Sequence, residues 1–544
     1  MVPPPFALLQ VAFDATINSV AFDSQTEILL VLLASGVLVL VENYLTPVDS
    51  RTSAAGLPPP PNVAAQNYHP ALPMSMTTVK LPVDDVTYSL SSILWVRFRT
   101  ESRQLVFAGK AGRQDQLVLC SVDNINAETQ REQTAVVRQI DLFGVRRACE
   151  VQQIVPGDEA AMIKDIPLAV QTHSGALYTL DTSSEDLMVP TRVSDKFPPF
   201  SHLTVLDCQR IKEQNDVVDG DILVVGLDGS SARLYVNCHL LVSACSSFRF
   251  SALPSVLLFT TQGRESQLRI APLSGLWRYA LDSSLSNASS DTVKFESRSI
   301  ERGALLVATP PSNHRASVVV QMPRGNLECM SPRLLVLALV IQQIRAREYV
   351  AALEICRRHR LDLNVLVDFN PQCFLQNFSQ FLIQRFLSTK PAAVTSDRLC
   401  LFITNLHPVD VWGTKYGPLL EPFSAMNRAD DFQQENDAVS IGEEKVNVVC
   451  REFMSVIQEL SRDEEEVDTA LLLPFVTSAV KQSPPRFDEA LGKIQKLLHR
   501  NEGDTESCSH QSRTAATRAI KHLIMLTDVN TLYSEALGLY DLDL

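Results

Sequence analysis

The spacing of apolar residues changes abruptly near residue 330, and this change limits the possible folds more than any other feature of the sequence. Before it, short apolar and β-branched runs alternate with turns rich in Gly, Ser, Asn and Asp, a pattern typical of β-strands. Between Pro332 and Phe386 there is no strand-like alternation and no glycine, and the apolar period becomes helical. The sequence therefore predicts a β-rich domain at residues 1–327 and an α-helical domain at residues 328–544.

A tight turn is predicted near the end of the β-rich domain, at Arg324-Gly325-Asn326 within the run VVVQMPRGNLE. Glycine permits a positive φ in such a turn, and an asparagine side chain can bond its own backbone there. We therefore assign these three residues a conformational role and no ligand-binding role.

A strand–turn–strand unit recurs through the β-rich domain, and each copy has two apolar runs separated by a turn that contains glycine. Its copies include residues 27–43, 103–122, 166–182, 221–237 and 255–273. Single strands are predicted between them, at residues 17–22, 93–98 and 203–206. Repeated up-and-down units favour a degenerate, WD40-like β-propeller, in which each copy forms the inner pair of strands of a four-stranded blade.

Two features of this region are irregular. The copies are unevenly spaced and lack the Gly-His…Trp-Asp signature, so an array of two-sheet sandwiches remains the alternative to a propeller. Residues 46–82 contain four consecutive prolines and few apolar residues, and we predict that they form a flexible loop.

The helical domain shows apolar stripes at helical spacing. In the first stripe, Asn370 is the predicted N-cap and Pro371 the first helical residue. The apolar residues of the three stripes are Phe374, Phe378, Phe381 and Leu382; Val446, Val449, Cys450, Phe453, Ile457 and Leu460; and Phe487, Ala490, Leu491, Ile494, Leu497 and Leu498. Successive amphipathic helices with short connections predict an irregular α-solenoid of tetratricopeptide-like (TPR-like) hairpins, with loose loops at residues 430–444 and 501–512.

Composition excludes several classes of protein. Hydrophobic residues make up 45% and charged residues 20% of the 544 positions, which is typical of a folded protein. The net charge of −14 argues against a broad nucleic-acid-binding surface, because phosphate binding is chiefly cationic. The most membrane-like segment, residues 28–41, is far shorter than the roughly 20 residues that a spanning helix needs, and its Ser-Gly pair favours a buried hairpin.

The eleven cysteines are scattered and form no CxxC pair. This spacing favours neither a disulfide framework nor a zinc ribbon, and it predicts reduced thiols in a cytosolic or nuclear protein. Cys508 and His510, with His499 and His522 nearby in sequence, offer too few closely supported ligands to predict a metal site.

No catalytic pattern is present: the sequence lacks a Walker loop, GxSxG, HExxH and a dinucleotide fingerprint. We therefore predict no enzymatic activity and no cofactor. The one basic concentration consists of Arg345, Arg347, Arg357, Arg358 and Arg360. It could bind RNA or an acidic partner, but Glu348 and Glu354 are interleaved with it, which favours the solvated face of a helical hairpin.

An ordered series of segments resembles one family. These are IERGALLVATPP followed by VVVQMPRGNLE, then HRLDLNVLVDFNPQCFLQNFSQFL, EKVNVVCREFMSVI and DVNTLYSEALGLYDLDL, with a weaker match at PPPFALLQVAFDATINSVAFD. Together they resemble the largest, scaffold subunit of the Elongator complex, the IKAP family. The resemblance rests mainly on residues 300–544 and implies a partial copy, with another propeller before it and a longer helical arm after it.

The resemblance implies a non-catalytic scaffold that supports carboxymethyl-type modification of the wobble uridine of transfer RNA. The implied partners are a catalytic subunit with radical-SAM and acetyltransferase domains, a WD40 propeller subunit and, through the complex, transfer RNA; no membrane partner is implied. The family's scaffold self-dimerises, and binds RNA through a basic segment, in regions outside this chain. A vesicle-coat or intraflagellar-transport subunit is the alternative, because such proteins share the order of propeller and solenoid.

Overall fold

We describe the chain from a computed structural model that defines residues 15–23, 28–35, 37–42, 75–80, 90–99, 102–123, 133–153, 167–180, 189–207, 222–251, 255–284, 293, 295–309, 316–377, 392–424, 444–460, 465–499 and 506–538. The chain divides into two compact units. The first contains Met1–Pro311 and Val319–Glu328, and the second contains Ser312–Val318 and Cys329–Leu544.

The described part of the first unit is built mainly from short β-strands. In chain order they are β1 Ile17–Asp23, β2 Ile28–Leu33, β3 Leu38–Glu42, β4 Ser75–Lys80, β5 Leu90–Arg99, β6 Gln104–Ala111, β7 Gln116–Val122, β8 Gln133–Thr134, β9 Val136–Gln139, β10 Val145–Gln153, β11 Leu168–Thr172, β12 Leu177–Leu180, β13 Thr191–Ser194, β14 His202–Asp207, β15 Ile222–Asp228, β16 Arg233–Val236, β17 His239–Ser243, β18 Cys245–Ser251, β19 Val256–Thr261, β20 Gln267–Pro272, β21 Glu296–Ser299, β22 Leu305–Ala308, β23 Val318–Gln321 and β24 Leu327–Met330. One helix, α1 Leu273–Ser284, lies between β20 and β21.

These strands form successive antiparallel sheets with the order expected of propeller blades. We number the blades 1 (β1–β4), 2 (β5, β6, β7 and β9), 3 (β10–β13), 4 (β14–β17), 5 (β18–β21) and 6 (β22–β24). First strands of neighbouring blades lie side by side in the pairs β1 and β5, β5 and β10, and β18 and β22, and β10 and β14 pair in parallel over three residues. The predicted propeller is therefore confirmed.

All five predicted hairpins form, as β2–β3, β6–β7, β11–β12, β15–β16 and β19–β20. The predicted single strands are the first strands β1, β5 and β14 of their blades. The residues of the most membrane-like segment form the β2–β3 hairpin, and Leu30 and Leu40 in its strands are fully buried. No helix in the described part of the chain is long and apolar enough to cross a bilayer.

The prediction of a loop at residues 46–82 is wrong at its C-terminal end. Ser75–Lys80 forms β4, which pairs antiparallel with β3. Its other edge pairs in parallel with the two-residue strand β8, so β4 lies near the edge of its sheet, where a strand can be short and polar. This segment therefore lacked the apolar run that marks the inner strands. Residues 46–74 and 81–82 lie outside the described residues.

The core of the first unit consists of apolar layers between adjacent blades. Side chains alternate between the two faces of each strand, so successive residues of one strand pack against different neighbouring blades. One layer joins blades 1 and 2 and contains Leu30, Leu40 and Phe107, and another joins blades 2 and 3. A third, with Phe200 and Val205, joins blades 3 and 4.

Polar side chains also link the first strands of consecutive blades. Ser19 on β1 accepts a hydrogen bond from the Ile93 amide on β5 at 3.1 Å. At the other end of β1, the buried Asp23 carboxylate accepts the Phe98 amide at 2.8 Å and pairs with Arg97 at 3.3 Å. Arg97 reaches on to Glu150 of β10 at 2.6 Å, so a single ion network spans blades 1, 2 and 3.

The predicted turn at residues 324–326 joins β23 to β24. Gly325 has φ +87°, as expected, and its amide donates to the Met322 carbonyl at 2.8 Å. Asn326 behaves differently from the prediction: its side-chain amide donates to the Glu328 carboxylate at 3.0 Å instead of to its own backbone. The nearby carboxylate is a stronger acceptor than a neutral carbonyl, which accounts for the difference.

The second unit is helical in its described part. Its helices are α2 Arg333–Arg345, α3 Tyr349–His359, α4 Val365–Asp368, α5 Pro371–Asn377, α6 Ala392–Thr404, α7 Gly417–Ser424, α8 Lys445–Leu460, α9 Glu465–Lys481, α10 Phe487–His499, α11 Glu506–Leu526 and α12 Val529–Gly538, with a π-helical turn at Trp412–Tyr416. The α-solenoid prediction is confirmed.

The predicted stripes are buried where the structure describes them. Val449, Cys450, Phe453 and Ile457 of α8 are fully covered, and α10 buries Ala490, Leu491, Ile494 and Leu497. Helix α9 packs against α6, α8, α10 and α11. It is apolar around most of its circumference, which is the pattern of a helix surrounded by others.

The predicted cap at the start of α5 is present. The Asn370 side chain accepts the Cys373 amide at 2.9 Å, and Phe374 is buried among Tyr349 and Phe402. The other residues of that stripe, 378–382, lie outside the described residues. The prediction of a loop at 501–512 is wrong from residue 506 onward, where α11 begins. The first turns of α11 are polar in sequence, so no apolar stripe marked the start of this helix.

Candidate interaction surfaces

The five arginines predicted as a basic group lie at two ends of a helical hairpin. Arg345 and Arg347 lie at the turn between α2 and α3, and the other three lie at the C-terminal end of α3. Helix α3 has 11 residues, which separates the two groups by about 15 Å. All five are exposed, but they do not form one patch.

Residues of the same helical unit contact three of these arginines. Arg357 pairs with Glu354 at 3.1 Å, and the Arg345 guanidinium lies 5.8 Å from the centre of the Phe369 ring. The Arg360 carbonyl accepts a long hydrogen bond from Arg333 at 3.5 Å. The favoured interpretation of the sequence, a solvated helical face, stays a prediction.

The segment HRLDLNVLVDFNP forms a buried polar junction in the solenoid. The Asp362 carboxylate accepts the Asn364 amide at 3.0 Å and lies 3.2 Å from the His407 ring. Although burial raises the pKa of Asp362, the hydrogen bonds from Asn364 and His407 hold it below its usual value. Asn364 is fully buried and donates to the Asn405 carbonyl at 2.9 Å, so this loop is tied to the end of α6.

A buried ion pair lies beside this junction. Asp368, at the end of α4, accepts the Val411 amide at 2.8 Å and pairs with Lys445 at 2.8 Å. Lys445 is the first residue of α8 and also donates to the Val409 carbonyl at 2.7 Å. Both charged side chains are at least 95% buried, so each is satisfied only by the other and by the backbone. Asp368 and Lys445 therefore have a structural role: they join the end of α4, the loop at Val409–Val411 and the start of α8.

A shallow cationic groove on α11 was missed by the sequence analysis. It is lined by Arg513, Thr514, Thr517, Arg518 and Lys521. Arg518 pairs with Asp397 of α6 at 3.4 Å, and both side chains are more than half exposed. Spacings of three and four residues put these side chains on one helix face. A helix predicted to begin at residue 506 would have revealed this face from the sequence.

Helix α12 exposes an apolar face. Val529, Tyr533 and Leu537 recur every four residues and are 54%, 66% and 56% exposed. The equivalent stripes of α8 and α10 are buried, so α12 differs from these two helices in this respect.

Among the described residues, no group of three His, Cys, Asp or Glu side chains is placed to hold a metal ion. Of the residues considered above, His522 is engaged by Thr477 at 2.9 Å. The side chains of His499, Cys508 and His510 lie outside the described set.

Comparison with known families gives matches over both units. The model described as the ELP1 N-terminal second beta-propeller matches residues 1–307, and the one described as the ELP1 alpha-solenoid matches residues 333–544. This chain belongs to the ELP1 family.

Relatives within the ELP1 family are about 30% identical to this chain over the aligned residues. It is 32% identical to Elongator complex protein 1 of Schizosaccharomyces pombe over 69% of this chain and 26% of that protein. The corresponding values are 30%, 69% and 26% for Saccharomyces cerevisiae, and 28%, 69% and 25% for Mus musculus. The chain thus spans about a quarter of the length of these ELP1 relatives.

Proposed function

We propose that this chain is part of the scaffold subunit of the Elongator complex. The observation that carries the proposal is the match of both units, in order, to the second propeller and the solenoid of the ELP1 family. The relatives are named Elongator complex protein 1, which is a component of an assembly. A scaffold needs rigid units with large surfaces, and interblade ion networks and a buried solenoid core provide such rigidity.

In this proposal the chain does no chemistry itself and needs no cofactor. It holds the catalytic subunit, with its radical-SAM and acetyltransferase domains, and a WD40 propeller subunit. The assembled complex then modifies the wobble uridine of transfer RNA in the cytoplasm. Transfer RNA is a partner of the complex, and this chain contacts it only indirectly.

Affinity purification tests the assignment. A tagged copy expressed at its native level should retain the two partner subunits, identified by mass spectrometry. Cells that lack this region should lose the carboxymethyl-type wobble modification, measured in hydrolysed transfer RNA by liquid chromatography. Recovery of clathrin-like or tubulin-transport partners instead would assign the chain to a coat or an intraflagellar-transport complex.

A further inference from the structure

One face of helix α11 carries the arginine and lysine side chains of that helix and, beyond them, two exposed apolar side chains. At about 100° per residue, this α11 face spans an arc of about 140°. Its residues are Arg513, Thr514, Thr517, Arg518, Lys521, Ile524 and Met525. The opposite face packs into the solenoid through Ala516, Ala519 and Leu523, which are fully buried. The α11 face therefore points outward from Arg513 to Met525.

The cationic part of the α11 face is concave. Its two threonines and three cations line a groove of about 470 Å³, and all five side chains are exposed. Arginine and lysine have aliphatic stems and threonine has a methyl group, so the walls of such a groove are amphipathic. The groove is therefore suited to a ligand that combines acidic and apolar groups.

The cations of the groove have little compensating charge around them. Arg518 pairs with Asp397 of α6 at 3.4 Å, but both side chains are more than half exposed, so the pair is weak. Neither Arg513 nor Lys521 forms an ion pair within the part of the chain that the structure describes. Apart from Glu506 at its first position, α11 contains no acidic residue. In a chain with a net charge of −14, this face is a local positive field that attracts acidic groups.

The C-terminal end of the α11 face is apolar. Met525 is 85% exposed, the highest value for a large apolar side chain in the described part of the chain, and Ile524 is 45% exposed. Helix α12 packs against α11 and still leaves Met525 uncovered. Lys521 and Met525 are four residues apart and so are neighbours on the helix surface. Methionine is flexible and polarizable and suits an adaptable apolar contact.

We propose that the α11 face is a docking surface for a protein segment that carries a cluster of acidic residues beside an apolar one. Eight residues separate Arg513 from Lys521, a distance of about 12 Å along the helix, which an extended acidic run of about four residues spans. The apolar residue then lies against Met525. This surface does not rest on the scaffold proposal, because its chemistry is independent of the complex that contains the chain.

A protein segment fits this face better than a nucleic acid does. Affinity for nucleic acid grows with the number of phosphates neutralised, and this face offers three cations, one of which is shared with Asp397. Single-stranded nucleic acid also uses aromatic side chains on which bases stack. The sequence of α11 contains no Phe, Tyr or Trp. Short acidic segments need neither a long cationic track nor a stacking platform.

The test is an anisotropy titration of the full 544-residue chain with a short labelled peptide in which consecutive glutamates precede a leucine and a phenylalanine. We expect a dissociation constant of about 10–100 µM at low ionic strength, which weakens as salt is added. The variant Arg513→Glu/Lys521→Glu should bind at least about tenfold more weakly. Both side chains are exposed and form no ion pair in the described chain, so its thermal melt should match that of the wild type.

Arg358→Glu/Lys196→Glu is the matched control. It makes the same change of net charge at two exposed positions outside α11, one on α3 and one after β13. Peptide binding should stay within about twofold of the wild type. Arg358 belongs to the basic group predicted from the sequence, so this control also tests that group as the acceptor of the acidic peptide.

The apolar end of the face gives a second, independent readout. Met525→Ser should weaken peptide binding about threefold or more, whereas Met525→Leu should retain it. A benzophenone placed at the apolar end of the peptide should, on irradiation, label the segment that contains Met525, as identified by mass spectrometry. Labelling confined to another helix would exclude the α11 face.

Other results would also overturn the proposal. They are the absence of saturable peptide binding up to about 1 mM, or an equal loss of affinity in the α11 variant and its matched control. A peptide with glutamines in place of the glutamates that binds as tightly would exclude charge as the basis. Labelled oligouridylate that binds more tightly than the peptide, and is lost in Arg513→Glu/Lys521→Glu, would make the face a nucleic-acid contact. Failure of the scaffold assignment would leave all these measurements unaffected, because they use the isolated chain.

Discussion

Gly325 is the residue at which backbone conformation matters most clearly. Its φ of +87° is strained for any residue with a β-carbon, and a valine there should destabilise the first unit by about 1–3 kcal/mol. No atom lies within 4 Å of the position that a β-carbon would take, so the cost is conformational and not a clash. Urea unfolding of Gly325→Val and Gly325→Asn measures it. Asparagine tolerates positive φ, and an equal loss in both variants would contradict this explanation.

Lys445 and Asp368 form a buried pair whose rupture should be costly. Lys445→Met leaves the Asp368 carboxylate uncompensated and should lower the free energy of unfolding by about 3–5 kcal/mol. Arg451→Met, on an exposed position of the same helix, should have little effect. The double variant Asp368→Asn/Lys445→Met should recover most of the loss, and failure to do so would mean that packing, not charge, dominates.

The same pair predicts a pH dependence. Burial, only partly offset by Lys445, raises the pKa of Asp368 above its value in the unfolded chain. A raised folded-state pKa favours the folded state at low pH, and that contribution is lost as the pH rises through the folded pKa. The destabilisation of Lys445→Met should therefore be smaller at pH 5 than at pH 8. Urea unfolding of the wild type and of Lys445→Met at pH 5 and pH 8 tests whether the difference in unfolding free energy grows with pH.

At the scale of elements, the first strands depend on each other through charges. Arg97 is the only bridge in the described chain that pairs with carboxylates of both β1 and β10. Arg97→Met removes the cation that pairs with the buried Asp23 carboxylate and should destabilise the first unit by about 3 kcal/mol. Hydrogen exchange should show faster opening of β1, β5 and β10 together. Arg113→Met, which alters an exposed turn, is the control, and equal effects of the two changes would rule out the link.

The helical elements illustrate how local pattern and packing combine. The stripes of α8 and α10 are buried because their spacing matches the helix period, which a sequence shows directly. The start of α11 and the strand β4 were missed, since both are polar segments whose structure comes from pairing or continuation and not from an apolar period. The Asn370 cap was predictable because it is a contact between residues three apart.

For the molecule as a whole, the net charge of −14 predicts weak binding to RNA. Titration of labelled transfer RNA at physiological salt should give a dissociation constant weaker than about 1 µM. Changing Arg357, Arg358 and Arg360 to Glu should not alter it, because these arginines are separated from Arg345 and Arg347 by the length of α3. Tight binding that these changes remove would contradict the prediction. Tight binding that instead depends on Arg513, Arg518 and Lys521 would also contradict it, and would identify the α11 groove as the contact.

The whole chain should also lack turnover of its own. Purified protein incubated with transfer RNA and either acetyl-CoA or S-adenosylmethionine should form no product, because its sequence contains no recognised catalytic motif. Product formation by the isolated chain, retained after removal of trace partners by a second purification, would contradict the scaffold proposal.

The sequence by itself determined the two architectures, the hairpins and the helical stripes, because these depend on periodicities of two and 3.6 residues within short windows. Only the tertiary structure decided which charges meet. Asp23 and Glu150 reach Arg97 across 74 and 53 positions of sequence, and Asp368 finds Lys445 77 positions away. Such contacts follow from how blades and helices stack, which no local pattern encodes. For the same reason the five neighbouring arginines separate along a helix, although their positions in the sequence are close.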